Sequence, residues 1–231
     1  MKKQLLLLFS LLISFNSYGE TICFDTVNIK KSDGIIYYPN WETKPFTGKN
    51  LCQYENGQKQ LEVNYKDGKE NGKYTNWYSN GKVWAEGNLK DNKKDGKWIF
   101  SNQDGQVSSE QNYKDGKYDG KQTWWYEDGQ IKEEVNFIDG KHDGKATWWY
   151  ENGQLSGIYN YKDDKLHGKG TSWHENGQKY AEGNYKDGMK DGNWTAWHEN
   201  GVIEAQATFK ICSSCINGKC ISGNCDFFKY F

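Results

Sequence analysis

Seven glycines at a spacing of 24 residues, Gly57, Gly81, Gly105, Gly129, Gly153, Gly177 and Gly201, set the frame of the chain. Eight positions after each comes a large apolar residue: Tyr65, Leu89, Tyr113, Phe137, Tyr161, Tyr185 or Phe209. Two positions after the glycine stand Val83, Val107, Ile131, Leu155 and Ile203; five positions after it stand Glu62, Glu86, Glu110, Glu134 and Glu182. Position seven is Asn in six of the seven repeats. Alternation of this kind predicts β-strands. Counted by parity alone, the second and eighth positions share an apolar face and the Glu and Asn positions a wet one.

A second glycine series, Gly48, Gly72, Gly96, Gly120, Gly144, Gly168 and Gly192, runs nine residues ahead of the first. Two turns per period predict one β-hairpin per repeat. The first turn, as in Glu55-Asn56-Gly57 or Gln103-Asp104-Gly105, has the Asn/Asp-Gly chemistry of a tight hairpin. The second, as in residues 66–73, reads as a longer glycine-rich connection.

Four residues before the first glycine lies a tryptophan column, Trp77, Trp125, Trp149, Trp173 and Trp197, with Ser101 in one repeat. A three-residue loop closed by a glycine bulge sets Trp77 opposite Val83 and is expected to gather both aromatic columns on one side. A two-residue loop would set Trp77 opposite Trp84 and split them. The three-residue loop is the expectation. The fold class that follows is all-β, an elongated single-layer antiparallel meander of 24-residue hairpins. A hairpin cannot bury its rings alone, so each repeat must cover its neighbour.

The motifs Tyr74 with Trp77-Tyr78-Ser79-Asn80-Gly81, Trp124-Trp125-Tyr126-Glu127-Asp128-Gly129 and Asn184-Tyr185-Lys186-Asp187-Gly188 resemble the variant MORN repeat, over roughly residues 33–209. The resemblance implies stacked hairpins that bind proteins or lipids rather than catalyse. Bacterial proteins of this kind are described as YwqK-like antitoxins, which implies an inhibitor of a partner toxin as one alternative. An export signal sits poorly with a cytosolic toxin.

That signal is Lys2 and Lys3 ahead of an apolar run at 5–15, then Ser17 and Gly19 as small residues before a cut at Glu20. The run is shorter than the ~20 residues of a membrane span. The expected organisation is a signal peptide at 1–19, an N-terminal cap and degenerate first repeat at 20–47, the array at 48–209 and a cysteine-rich cap at 210–231. The expected location is periplasmic, cell-surface or secreted.

Composition narrows the partners. A mean hydropathy of -1.02 with 16% aromatic residues places the apolar surface in rings. The chain has 30 Lys and no Arg against 31 acidic residues, so it lacks both a basic field and the guanidinium fork suited to nucleic acid. No nucleic-acid partner is expected.

The six cysteines lie near the ends: Cys23 and Cys52, then Cys212, Cys215, Cys220 and Cys225. In an exported chain they read as three disulfides, Cys23 with Cys52 by exclusion and three connectivities open among the rest. The alternative is a zinc site, since C-x2-C-x4-C-x4-C has zinc-knuckle spacing. No metal or other cofactor is the expectation.

His174 and His198 share a column with Tyr78, Tyr126 and Tyr150, which favours a structural role; His142 and His167 fall in the second turns and are expected in solvent. No Ser or Cys has a nucleophile's setting, the carboxylates follow the period, and Lys interrupts the Asp-Gly turns that calcium would need. An enzyme with a small-molecule substrate is not expected. The expected function is a scaffold that binds a protein through an aromatic surface of Trp77, Trp125, Trp149, Trp173, Trp197, Tyr78, Tyr126 and Tyr150. A cell-wall glycan or lipid partner is the alternative.

Overall fold

The computed structural model describes residues 44–210 throughout, and beyond them only short strands at 21–24, 30–32, 35–37, 215–216 and 219–220. The signal segment and residues Cys212 and Cys225 lie outside the described residues. In chain order the strands are β1 (Thr21–Phe24), β2 (Lys30–Ser32), β3 (Ile35–Tyr37), β4 (Gly48–Tyr54), β5 (Lys59–Lys66), β6 (Lys69–Trp77) and β7 (Val83–Lys90). There follow β8 (Lys93–Ser101), β9 (Val107–Lys114), β10 (Lys117–Tyr118), β11 (Gly120–Trp125), β12 (Ile131–Ile138), β13 (Lys141–Trp149) and β14 (Leu155–Lys162). The last are β15 (Lys165–Leu166), β16 (Gly168–Trp173), β17 (Lys179–Lys186), β18 (Met189–Trp197), β19 (Ile203–Phe209), β20 (Cys215–Ile216) and β21 (Lys219–Cys220).

One antiparallel sheet of 17 strand segments contains all but the two small hairpins β2–β3 and β20–β21. Neighbours in sequence are neighbours in the sheet, from β4 to β19, and β1 adds to the outer side of β4. The segments β10 and β11 form one interrupted strand, as do β15 and β16.

The first turn has the predicted loop. Tyr78 N–H donates to Lys82 O at 2.8 Å, and Gly81 N–H to Tyr78 O at 2.9 Å. Gly81 takes φ +85, and Asn80 Oδ1 accepts from Lys82 N at 3.0 Å. A side chain with a short acceptor followed by a residue free to go left-handed is what this turn demands. Trp77 pairs with Val83 as expected.

The gathering of both aromatic columns on one side does not occur. Immediately after the Trp77–Val83 pair, Asn76 pairs with Ala85, so Trp84 is an extra residue in a β-bulge. The same slip follows Trp125, Trp149, Trp173 and Trp197. Past the bulge, parity reverses, and the residues at two and at eight positions after the glycine fall on opposite faces. The tryptophan column therefore shares its face with the Glu and Asn positions. Trp84 and Tyr180, both bulge residues, are exposed.

The second turn is also tighter than its sequence implies. Lys66 pairs with Lys69, leaving only Asp67 and Gly68 in the loop, at φ +50 and +77. Two positive φ values in a two-residue loop make a type I′ turn. Asp91-Asn92 and Asp163-Asp164 hold the same shape without glycine. The glycine-rich stretch that follows is a second irregularity: Tyr65 pairs with Glu70 and Val63 with Tyr74, so Asn64 alone faces residues 71–73. Asn64 Nδ2 closes that gap by donating to Lys73 O at 3.2 Å, and Asn136 and Asn160 do the same to Lys145 O and Lys169 O.

The core lies on the face carrying the eighth-position residues. Here rings touch one another without a break from Tyr74 through Trp98, Tyr113, Tyr118, Phe137, His142, Tyr161, Trp148, Tyr159, Tyr185 and Trp194 to Phe209. Trp98 retains 2% of its exposure; burying a large side chain this fully stabilises by about 3 kcal/mol. His142 stands in β13 rather than in a turn, and with 40% of its side chain exposed it is partly in solvent and partly packed on rings. Its ring lies 4.4 Å from Phe137 and 5.2 Å from Tyr161, and its Nδ1 is 3.0 Å from Asp164 Oδ1. His167 is half-exposed like His142, but its Nδ1 is itself buried without a hydrogen bond among the described residues, 3.7 Å from Asp187 Oδ1.

Candidate functional site

The face opposite the ring ladder carries a second apolar row. In sheet order Trp125, Ile131, Trp149, Leu155, Trp173, Lys179, Trp197 and Ile203 stand on successive strands, each tryptophan paired across to the residue that follows it in this series. The first-turn loop positions each tryptophan, because its three residues set the pairing that ends the strand. The five tryptophans of the column, Trp77 included, are half-buried.

Their indoles differ from those of the core face. On the core face Trp98 Nε1 donates to Asn88 O at 2.9 Å, Trp148 Nε1 to Glu133 Oε2 at 2.8 Å and Trp194 Nε1 to Asn184 O at 3.0 Å. Among the described residues, the indole N–H groups of Trp77, Trp125, Trp149, Trp173 and Trp197 meet no acceptor, and none is buried away from solvent. None of these five rings stacks on another ring; Lys59 lies 5.4 Å from the Trp77 centroid and Lys179 5.6 Å from that of Trp197.

The row has two dissimilar borders. Inward along the strands, after the buried Thr75, Thr123, Thr147 and Thr171, lysines pair with glutamates: Lys49–Glu62 at 2.7 Å, Lys97–Glu110 at 2.6 Å, Lys121–Glu134 at 2.5 Å and Lys169–Glu182 at 3.2 Å. Hydrogen bonding from Lys49 holds the Glu62 carboxyl below its usual range, and hydrogen bonding from Lys179 does the same for Glu182. Outward, each first turn adds an exposed acid two residues past the tryptophan: Glu127, Glu151, Glu175 and Glu199. Along the tryptophan row the inner border is neutralised at Lys121 and Lys169, carries Lys145 without an ion pair among the described residues where Ile158 replaces the glutamate, and is nowhere acidic in net charge, whereas the outer border is acidic.

The tyrosines named with the tryptophans have another task. Tyr78 donates its hydroxyl to Ser101 O at 2.9 Å, Tyr126 to Trp149 O at 2.7 Å and Tyr150 to Trp173 O at 2.7 Å. His174 Nε2, 2.9 Å from Trp197 O, takes the same place, so its N–H must point there. Each bond ties a strand end to the next repeat, and the interchange of Tyr and His in one column is explained by that shared donor. Burial, foremost, raises the Tyr126 and Tyr150 hydroxyls above their ordinary pKa.

Two features of the core face were not anticipated. Lys94 Nζ lies 4.6 Å from the Trp98 centroid, 4.5 Å from Phe100 and 4.8 Å from Tyr113, and burial lowers its pKa. Gln122 is fully buried and bonds the backbone of Asn112 through both ends of its amide. The column that holds Lys94 also holds Phe46, Glu70, Tyr118, His142, Leu166 and Lys190. Its mixed character hides it from a search for apolar periodicity.

Cys52 is 2% exposed, and its backbone partner across the β1–β4 ladder is Cys23. Cys215 likewise stands opposite Cys220. Among the described residues no three His, Cys, Asp or Glu side chains are grouped to hold a metal ion.

An open antiparallel array of hairpins, each stitched to the next and bearing one row of half-exposed indoles, defines a repeat scaffold. Seven stretches, residues 46–67, 70–91, 94–115, 118–139, 143–163, 166–187 and 190–210, match the MORN repeat variant, and the chain belongs to that family. No curated protein matches the chain at a significant level.

Proposed function

We propose that this chain is an exported, non-enzymatic scaffold that binds a protein partner through the tryptophan row. The observation that carries this reading is the contrast between the two sets of indoles: core-face N–H groups bond within the fold, while those of Trp125, Trp149, Trp173 and Trp197 remain available. Half-exposed tryptophans on a rigid element combine large apolar area with a donor, the chemistry of interface anchors. A protein suits the row better than an anionic lipid surface, because Glu127, Glu151, Glu175 and Glu199 border it. The core-face rings are a poor glycan platform, since tilted and edge contacts such as Tyr185–Trp194 at 80° use their faces internally. The tyrosine hydroxyls belong to the scaffold.

Export is supported by the cysteine placement. Register partners in an antiparallel ladder have α-carbons ~4.5–5.5 Å apart, within the reach of a disulfide. A Cys23–Cys52 bond would fasten β1 to the first repeat, in the oxidising compartment to which the N-terminal signal directs the chain.

The test is affinity purification from the native host with the wild-type chain and with Trp149→Glu/Trp173→Glu, after circular dichroism has shown the variant folded. A partner retained by the first and lost from the second is expected. Identical partners on both would remove the row from the function.

A further inference from the structure

The spacing of the row carries information about what lies on it. Adjacent strands are ~4.8 Å apart, so tryptophans on alternate strands recur about every 9.6 Å. We propose that the row docks a basic, proline-rich segment in the polyproline II conformation, with proline at every third residue, one proline ring over each of Trp125, Trp149, Trp173 and Trp197. This deepens the protein-binding reading and rests on it.

Three considerations select that partner. The first is period. Three residues of polyproline II advance ~9.3 Å, a mismatch of about 0.3 Å per repeat that grows to about 1 Å over the four tryptophans. Seven residues of α-helix advance ~10.5 Å, about 0.9 Å out per repeat and nearly 3 Å out over the same span. The sheet twists along the row, and a helix without internal hydrogen bonds can bend to follow it.

The second is hydrogen bonding. Four indole N–H groups stand without acceptors along the row. An α-helix has already used its carbonyls internally, whereas a polyproline II segment leaves every carbonyl available. The donors and the acceptors then recur with the same period. An added β-strand would satisfy neither condition, because it pairs with a sheet edge and the row lies on a face.

The third is charge. The outer border offers Glu127, Glu151, Glu175 and Glu199, one per repeat, while the inner border is closed by pairs such as Lys121–Glu134 and Lys169–Glu182. A segment lying on the tryptophans with lysine or arginine between its prolines meets the acidic side only. Ile131, Leu155 and Lys179 stand opposite Trp125, Trp149 and Trp173 on the strands between successive indoles.

The full chain is titrated by calorimetry and tryptophan fluorescence with three synthetic peptides of equal length and net charge, the first two of one composition and the third free of proline. One has proline at every third residue and Lys between, the second has the same prolines clustered, and the third is an amphipathic helix with apolar residues at heptad spacing. Saturable binding of the first, at least tenfold tighter than either other, is expected. Trp149→Phe/Trp173→Phe, which keeps the rings and removes two donors, should weaken it at least fivefold, and 0.5 M salt should weaken it further. Equal binding of the clustered peptide, or tighter binding of the helix, overturns the proposal. Failure of all three peptides overturns it too, and the partner experiment then decides separately whether the row binds protein at all. If Trp149→Glu/Trp173→Glu still loses its native partner, the row binds protein of another conformation; if it does not, both readings fall.

Discussion

The indole of Trp98 lies directly over Gly87 on the neighbouring strand, so closely that a β-carbon there would stand 2.4 Å from the ring. Gly183 has the same relation to Trp194, at 2.2 Å from Cδ2. A single-layer sheet has no second layer to cover its core, and here the cover is lateral: a large ring from one strand folds onto the backbone of the next. Tyr159 meets Gly170 in the same way. Neither Gly87 nor Gly183 adopts a left-handed φ, so space alone demands glycine at these positions.

Gly87→Ala and Gly183→Ala should therefore each destabilise the array by about 1–3 kcal/mol, the usual range for overpacking a closed core. Denaturant melts followed by fluorescence would measure it, and the shift should be largest when Trp98 or Trp194 is the reporter. A midpoint unchanged by Gly87→Ala would mean that the ring can slide away at no cost.

Much of this fold is written locally and so can be read directly. Glu-Asn-Gly and its variants encode the three-residue loop because the requirement is met inside the turn, and the pairing of Trp77 with Val83 follows. The face of Trp77 is different. It depends on Trp84 being bulged out, and an extra residue in a ladder leaves no mark on a count of positions. Asp163-Asp164 misleads in another way, since two left-handed residues without glycine do not look like a two-residue turn. For the candidate site, the tryptophans were legible as a column, but their availability was not. That rests on which indoles find an acceptor, and Asn88 O, Glu133 and Asn184 O are brought to the core-face indoles only by the bulged register.

Stitching by the tyrosine column predicts a modest and uniform cost for its loss. Tyr150→Phe keeps the ring and removes the bond to Trp173 O, and should lower stability by about 1 kcal/mol. Tyr126→Phe should do the same at Trp149 O. Tyr180→Phe, on an exposed bulge residue, should change stability by less than about 0.5 kcal/mol. Thermal melts of the three single variants check this, and equal effects at Tyr150 and Tyr180 would sink the stitching role.

Acid should weaken the wet face in a defined direction. Glu62 is held by Lys49 at 2.7 Å and Lys59 at 3.3 Å, and Glu182 by Lys179 at 2.8 Å and Lys169 at 3.2 Å; both carboxyls lie below their usual pKa. A carboxylate whose pKa is lowered by folding contributes stability that is fully present above its unfolded value, about 4.3 for Glu, and is lost as pH falls through the lowered folded value. The pairs are partly exposed, so each contributes no more than about 1 kcal/mol. The melting temperature should hold between pH 7 and 5 and fall below about pH 4.3. Lys49→Met/Lys59→Met should flatten the part of that fall owed to Glu62; an acid profile superimposable on the wild type would show that these pairs contribute nothing.

The buried amide of Gln122 marks the place where the array should come apart first. Its Oε1 accepts from Asn112 N–H at 2.8 Å, and its Nε2 donates to Asn112 O at 2.9 Å and Gly120 O at 3.1 Å. The side chain thus stands in for a strand where β9 and β11 share only two register pairs. On one side lies the apolar cluster of Val63, Tyr65, Leu89 and Trp98, on the other that of Val135, Phe137 and Ala146. Between them the core face is polar, with Ser109, Gln111 and Gln122 all buried. In a linear array stability is the sum of neighbouring interfaces, so a weakened one can split a single transition into two. Gln122→Leu matches the site in volume but leaves the Asn112 N–H without its acceptor, while Asn112 O keeps the Asp119 N–H at 2.9 Å, which should cost about 1–3 kcal/mol. Hydrogen exchange at the Asn112 amide should accelerate, and melts reported by Trp98 and by Trp148 should separate. Coincident melts in this variant would mean that the ring contact between Tyr113 and Tyr118, at 4.9 Å, is enough to couple the two halves.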